Sequence, residues 1–200
     1  FTPLSLGKLY NFPLLYYGRN QTIALIELGG GYKPSDISYY FKYLKLAPVP
    51  KIFNVYVDGA TNNPGNTIDS VEVVLDIEIA GAIANCATIV VYFAPNTARG
   101  FYNAVHAAIN DTKYNPNIIS ISWGLAENLW PLDVINSFNG LLATAAAKGI
   151  NVFCASGDQG SNNGQNVPVT DFPASSPHVI ACGGTRVDSN GSSIRDETVW

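Results

Sequence analysis

The stretch "SVEVVLDIEIAGAIANC", Ser70 to Cys86, decides the fold because it reads two ways. Residues 71–80 alternate, with Val71, Val73, Leu75, Ile77 and Ile79 apolar and Glu72, Asp76 and Glu78 between them. That is a strand pattern. The continuation "AGAIAN" is Ala-rich, the whole stretch is long enough for four helical turns, and Asp69 and Ser70 are good N-cap types. On a strand, Glu72 and Asp76 stand about 13 Å apart along one face. On a helix, positions i and i+4 are neighbours with Cβ atoms roughly 5–6 Å apart. The helix alone lets the two carboxyls share a hydrogen bond. A helix without a polar face must be nearly buried, and buried carboxylates then need a reason. The plainer alternative is an exposed first turn whose acids suit the helix dipole.

The flanking sequence supplies the frame. "TIALIEL" (22–28), "KIFNVYV" (51–57), "CATIVVYFA" (86–94), "IISISWG" (118–124), "INVFCAS" (150–156) and "HVIACGG" (178–184) are short apolar runs that read as strands. Between them lie helix-compatible stretches: "PSDISYYFKYLKL" with Ser35 as N-cap, "TARGFYNAVHAAINDT", and the Ala-rich "DVINSFNGLLATAAAKG", closed by Gly149 at C′. Continuously apolar strands separated by helices predict an α/β fold, a largely parallel sheet covered on both faces. No internal repeat or low-complexity linker divides residues 1–200, so the chain reads as one domain.

Composition narrows the function classes. A net charge of −4 without a basic run argues against nucleic acid as a partner. No stretch of 18 apolar residues appears, so no membrane span is predicted. Cys86, Cys154 and Cys182 each sit in an apolar run and read as buried free thiols, and no Cys/His spacing suggests zinc. Three N-x-S/T triplets begin at Asn20, Asn110 and Asn190; with low charge and abundant Tyr and Asn they lean toward a secreted or vacuolar protein. "IELGGGY" places glycines after a strand, but the spacing fails G-x-G-x-x-G and no Walker lysine follows, which sets a nucleotide-binding domain aside.

In parallel sheets, ligands and catalytic groups collect beyond the carboxyl ends of the strands. Glu27 closes the first strand, Trp123 and Gly124 the fourth, and Asp158, within "SGDQGSNNG" (156–164), follows the fifth. Taken alone, "SGDQGSNNG" is ordinary turn chemistry. Its place at this edge makes Asp158 a candidate.

Taken together, the carboxylate stretch, "IALIELGGGY", "SISWG", "SGDQGS" and "DFPASSPHVIACGGT…ETVW" resemble the sedolisins. These are serine-carboxyl peptidases, relatives of the subtilisin fold that work at acid pH. The resemblance starts at "FTPLSLGKLYNFP" and runs through Trp200. It implies that residues 1–200 are the N-terminal portion of one peptidase catalytic domain. It implies Glu72 as general base, Asp76 as the aspartate that orients it, and Asp158 as the oxyanion-hole aspartate. Glu27 matches a second carboxyl of the proton network, and Trp123, with Gly124, an aromatic stretch lining the substrate cleft. Glu78 matches no catalytic position.

The chemistry agrees with these types. A serine hydroxyl needs an acceptor for its proton. Histidine is already protonated in acid, whereas a glutamate still accepts there. A carboxyl donates to an oxyanion only when protonated, so Asp158 implies an acid optimum. His106 and His178 are not needed and read as structural.

The family's nucleophile sits in a "GTS"-type motif after "ETVW", beyond this chain. "GGTR" carries Arg186 where that serine would stand, and turn chemistry explains Ser156 and Ser161. The expectation is a peptide-bond hydrolase whose serine comes from a C-terminal segment or second chain. A truncated piece and a non-catalytic peptide-binding relative are the other arrangements. The resemblance also implies calcium, with ligands outside this chain, and an acidic compartment or secretion.

Overall fold

The computed structural model describes residues 1–13, 16–65 and 67–199; Trp200, which ends the "ETVW" motif, lies outside them. Six parallel strands form the central sheet: β1 (Thr22–Glu27), β2 (Lys51–Tyr56), β3 (Thr88–Phe93), β4 (Ile118–Ile121), β6 (Asn151–Ala155) and β8 (Ile180–Cys182). They lie in the order β2-β3-β1-β4-β6-β8. Two short pairs lie outside it: β5 (Leu125–Ala126) against β7 (Asp171–Phe172), and β9 (Thr185–Ser189) against β10 (Ile194–Val199). Neither pair is foreseen by the apolar runs, since none of the four strands carries one.

Alternation along the strands splits the core in two. Ala24 and Ile26 face one side, with Val90, Tyr92, Ile119 and Ile121, where α4 (Ala98–Asn110) and α5 (Leu132–Ala147) bury Phe101, Phe138 and Leu142. Ile23 and Leu25 face the other, with Ile89, Val91 and Phe93, beneath α2 (Pro34–Tyr43) and α3 (Ile68–Ile83). Helices therefore cover both faces, the arrangement that continuously apolar strands require.

The ambiguous stretch is helix α3. Val73 and Ile77 are fully buried against the sheet. Val71, Leu75 and Ile79 are exposed, at 63%, 47% and 44%. Those exposed apolar residues supply the alternate members of the strand-like pattern. The helix starts two residues before the expected cap: Thr67 is the N-cap, and its Oγ1 accepts from Ser70 N at 3.2 Å. Ser35 is likewise not a cap. Lys33 holds that position without a side-chain bond, and Pro34 takes the first helical position, where its missing N–H costs nothing.

The thiols also divide. Cys154 is buried, Cys86 half-buried and Cys182 exposed. The expectation of three buried thiols is met only at Cys154; Cys86 is partly exposed, and Cys182 is exposed because β8 is the edge strand of the described sheet.

Candidate active site

Parity along β1 carries the first carboxyl. Ile23 and Leu25 face α3, and so does Glu27, which ends the strand with no exposed surface. The glycines after it let the chain turn closely over the first turn of α3. Gly30 has φ +63°, and a Cβ there would come within 2.5 Å of the Asp69 carbonyl carbon and 2.6 Å of Ser70 N. The turn thus fixes the start of α3 against the carboxyl end of β1.

Glu72 and Asp76 lie one helical turn apart on α3, beside its buried stripe. They are within hydrogen-bonding reach of each other, and Asp76 is within reach of Glu27. Trp123 Nε1 donates to Glu27 Oε2 at 3.2 Å. Glu27 Oε1 has no N–H or O–H donor among the described residues. The Asp76 carboxyl is the neighbouring group within hydrogen-bonding reach of Glu27, and a contact between two carboxyls holds only when one of them carries a proton.

Burial sets the protonation. It pushes Glu27 well above the usual carboxylate range; the charge of Asp76 adds to this and the Trp123 N–H opposes it. Burial raises Asp76 to about 6, opposed by a hydrogen bond from Ser122 and aided by the charge of Glu72. Glu72 is also raised, first by burial, with Ser122 opposing and the charge of Asp158 adding. The row therefore shares protons in mild acid, with Glu27 the most firmly neutral.

Asp158 is exposed at the carboxyl end of β6 and lines a cleft of about 330 Å³ with Ser122, Gly124, Leu129, Gln159 and Asp171. The charge effect of Asp158 on Glu72 ties this cleft to the carboxyl row. Gly124 stands in the cleft wall. Trp123, beside it, is half-buried, and its indole serves Glu27.

Two residues of this site carry no signal that sequence reasoning can use. Ser122 Oγ donates to both Asp76 oxygens, at 2.9 Å each. Asp171 is buried at the cleft floor and its carboxyl is raised chiefly by burial. The Asn163 amide and the Leu125 and Phe172 backbone N–H groups oppose that shift, although Asp171 Oδ1 lacks a well-aligned donor among the described residues. "SISWG" and "DFPAS" stand out as motifs, but nothing local marks their polar members as inward-facing.

Other candidates fall elsewhere. His106 stacks on Tyr102 on the exposed side of α4, and His178 is exposed after Pro177. Ser156 Oγ donates to the Cys182 carbonyl at 3.0 Å, and Ser161 lies in a short 3-10 turn. Glu78 is half-buried and raised by burial and Asp36, away from the carboxyl row. No group of three or more His, Cys, Asp or Glu among the described residues could hold a metal ion.

No family model matches the chain. It is 47% identical to kumamolisin of Bacillus sp. (strain MN-32), over 100% of this chain and 37% of that protein. It is 30% identical to tripeptidyl-peptidase sed5 of Aspergillus fumigatus, over 94% of this chain and 35% of that one. Pseudomonas sedolisin, a serine-carboxyl proteinase solved with pseudo-iodotyrostatin, shares its fold at a TM-score of 0.84 and 24% identity, over 100% of this chain and 58% of that chain. The chain thus spans little more than a third of the length of the curated relatives it matches.

Proposed function

The chain belongs to the sedolisin family, as the N-terminal part of the catalytic domain, and from that membership we propose that the protein is an acid-acting serine-carboxyl endopeptidase. A serine on a C-terminal segment or second chain attacks the peptide carbonyl. Glu72 accepts the hydroxyl proton and later gives it to the leaving amine. Asp76 holds Glu72 by a carboxyl–carboxyl hydrogen bond, and Glu27 with Trp123 extends that row. Asp158 donates to the oxyanion while its carboxyl carries a proton. Gly124 and Trp123 belong to the stretch that borders the peptide.

The observation that supports this most is the placement of the acids: three carboxyls in a row at the carboxyl edge of the sheet, with Asp158, on the cleft that Ser122 also lines, near enough for its charge to raise Glu72. Such a row stores protons where a base must work in acid. The test is peptide hydrolysis by the full-length protein across pH 3–7. Glu72→Gln and Asp158→Ala should each lower kcat by at least ~10². Near-wild-type turnover in either variant would refute the assignment.

The tripeptidyl-peptidase relative supports a second reading, in which the same residues remove N-terminal tripeptides. An internally quenched peptide with a blocked N-terminus separates the two, since only an endopeptidase cuts it. An intact mass of the denatured native protein tests the serine's origin: a second polypeptide bearing the "GTS" serine supports two chains. Calcium, on this reading, takes ligands outside this chain and enters none of the proton transfers above. Secretion or an acidic vacuolar or lysosomal compartment fits the same chemistry.

A further inference from the structure

We propose that Ser122 is a positioning residue whose hydroxyl holds the Asp76 carboxylate as a hydrogen-bond acceptor for Glu72, an inference that rests on Glu72 being the base. Parity along the strand places it. Ile119 and Ile121 of β4 pack toward α4 and α5, while Ile118 packs toward α2 and α3. Ser122, two residues past Ser120 on that same parity, therefore ends the strand on the α3 side. There its Oγ stands 2.9 Å from each Asp76 oxygen. One hydroxyl proton serves either oxygen, so the contact fixes the plane of the carboxylate rather than a single atom.

The groups that bear on Asp76 are Glu72 from its own helix, Glu27 from β1 and the Ser122 hydroxyl from the end of β4; none is Lys, Arg or His. Asp158 reaches this set through Glu72. Glu72 and Glu27 donate to Asp76 only while they carry a proton. Ser122 donates at every pH. Neutral Glu27 also donates to Asp76, but among the described residues Ser122 is the side chain whose donation to Asp76 depends on no carboxyl proton. An Asp76 held as acceptor gives the proton taken up by Glu72 a place to point. An Asp76 without that donor keeps a proton itself, donates it to Glu72, and weakens Glu72 as a base.

The experiment compares Ser122→Ala and Ser122→Thr in the full-length protein. Two measurements are taken: kcat/KM against pH, and infrared titration of the carboxyl band with isotope-labelled Asp. Ser122→Ala should lower kcat on the order of 10- to 10²-fold, the range of a hydrogen bond to a charged group, with KM little changed. The working state needs Asp76 ionised, so the acid limb should follow the raised Asp76 to higher pH, and one Asp carboxyl should titrate higher than in the parent. Ser122→Thr, which keeps the hydroxyl, should restore both. For an Ala variant that does not accumulate, Ser122→Cys, similar in size but a weak donor, takes its place. An unmoved acid limb together with an unmoved Asp titration overturns the proposal. A shifted titration in a protein that hydrolyses no peptide upholds the role of Ser122 toward Asp76 and overturns the peptidase reading instead.

Discussion

Trp123 donates its indole N–H to Glu27 Oε2 over 3.2 Å, and Glu27 has no exposed surface on which water could do the same. The other Glu27 oxygen has no N–H or O–H donor among the described residues, and the Asp76 carboxyl lies within hydrogen-bonding reach of Glu27. A neutral carboxylic acid satisfies both neighbours, accepting from Trp123 and donating to Asp76. Glutamine has the same shape and the same two capacities. Glu27→Gln should therefore keep kcat at the acid optimum within about threefold. Glu27→Leu leaves the Trp123 N–H unpaired and removes a donor to Asp76, with a stability cost of about 1–3 kcal/mol. Thermal unfolding and kcat of the two variants, side by side, check this. A Gln variant as impaired as the Leu variant would show that Glu27 must ionise during turnover.

The same burial gives a signed pH dependence. Glu27, Asp76 and Glu72 all hold protons more tightly folded than unfolded. Between the ordinary carboxylate pKa near 4 and the raised folded value, the native state binds more protons than the unfolded chain, so stability falls as pH rises. The contribution is fully present below about pH 4 and is lost as pH rises through about 6 for Asp76, which alone is worth on the order of 3 kcal/mol. Asp111 works in the opposite sense, since Tyr92 and two backbone N–H groups hold its carboxylate low. The carboxyl row outweighs it, so the Tm of the full-length protein should drop from pH 4 to pH 7. Glu27→Gln should flatten that slope. A Tm that rises over this interval would contradict the buried-proton account.

How far the sequence reaches follows from what each pattern reports. Continuous apolar runs mark buried strands, and all six central strands are readable from them. Helix α3 is not, because Val71, Leu75 and Ile79 are exposed and apolar. They mimic the alternation of a strand while Val73 and Ile77 form the true core stripe. Glu72, Asp76 and Glu27 converge only once that stretch is a helix, so family resemblance points to the site where periodicity alone does not. Ser122 and Asp171 are invisible for another reason. A serine after a strand and an aspartate before Phe-Pro are common, and their roles come from neighbours far along the chain, Asp76 for one and Gly124 and Gly157 for the other. The expected cap of α2 fails because Pro34 overrides the preference of Ser35.

Gly30 tests whether the turn after β1 positions α3. A side chain there meets a positive φ and the backbone of Asp69 and Ser70 at once. Neither can yield without shifting the first turn of α3 and with it Glu72. Gly30→Ala should cost more than about 2 kcal/mol, beyond the roughly 1 kcal/mol of left-handed strain alone. Gly59 shares the positive φ, at +78°, but a Cβ there has nothing within 4 Å. Gly59→Ala is the matched control and should cost about 1 kcal/mol with unchanged kcat. Equal losses in the two variants would mean that the close approach of Gly30 to α3 carries no weight.

Asp158 offers the sharpest separation of charge from hydrogen bonding. Its negative charge raises Glu72, whereas its proposed work on the oxyanion needs the proton. Asp158→Asn removes the charge and leaves a permanent N–H donor. Removing the charge lowers the Glu72 pKa, so the acid limb of kcat/KM should move to lower pH. A permanent donor abolishes the need for protonation, so the neutral-side limb should move to higher pH. The profile should widen on both sides even though its maximum falls, and the maximum should fall less than in Asp158→Ala, which loses the donor outright. A narrowed Asn profile, or one that collapses as far as the Ala profile, would remove Asp158 from the oxyanion role. It would leave the electrostatic link to Glu72 to be judged by the acid limb alone.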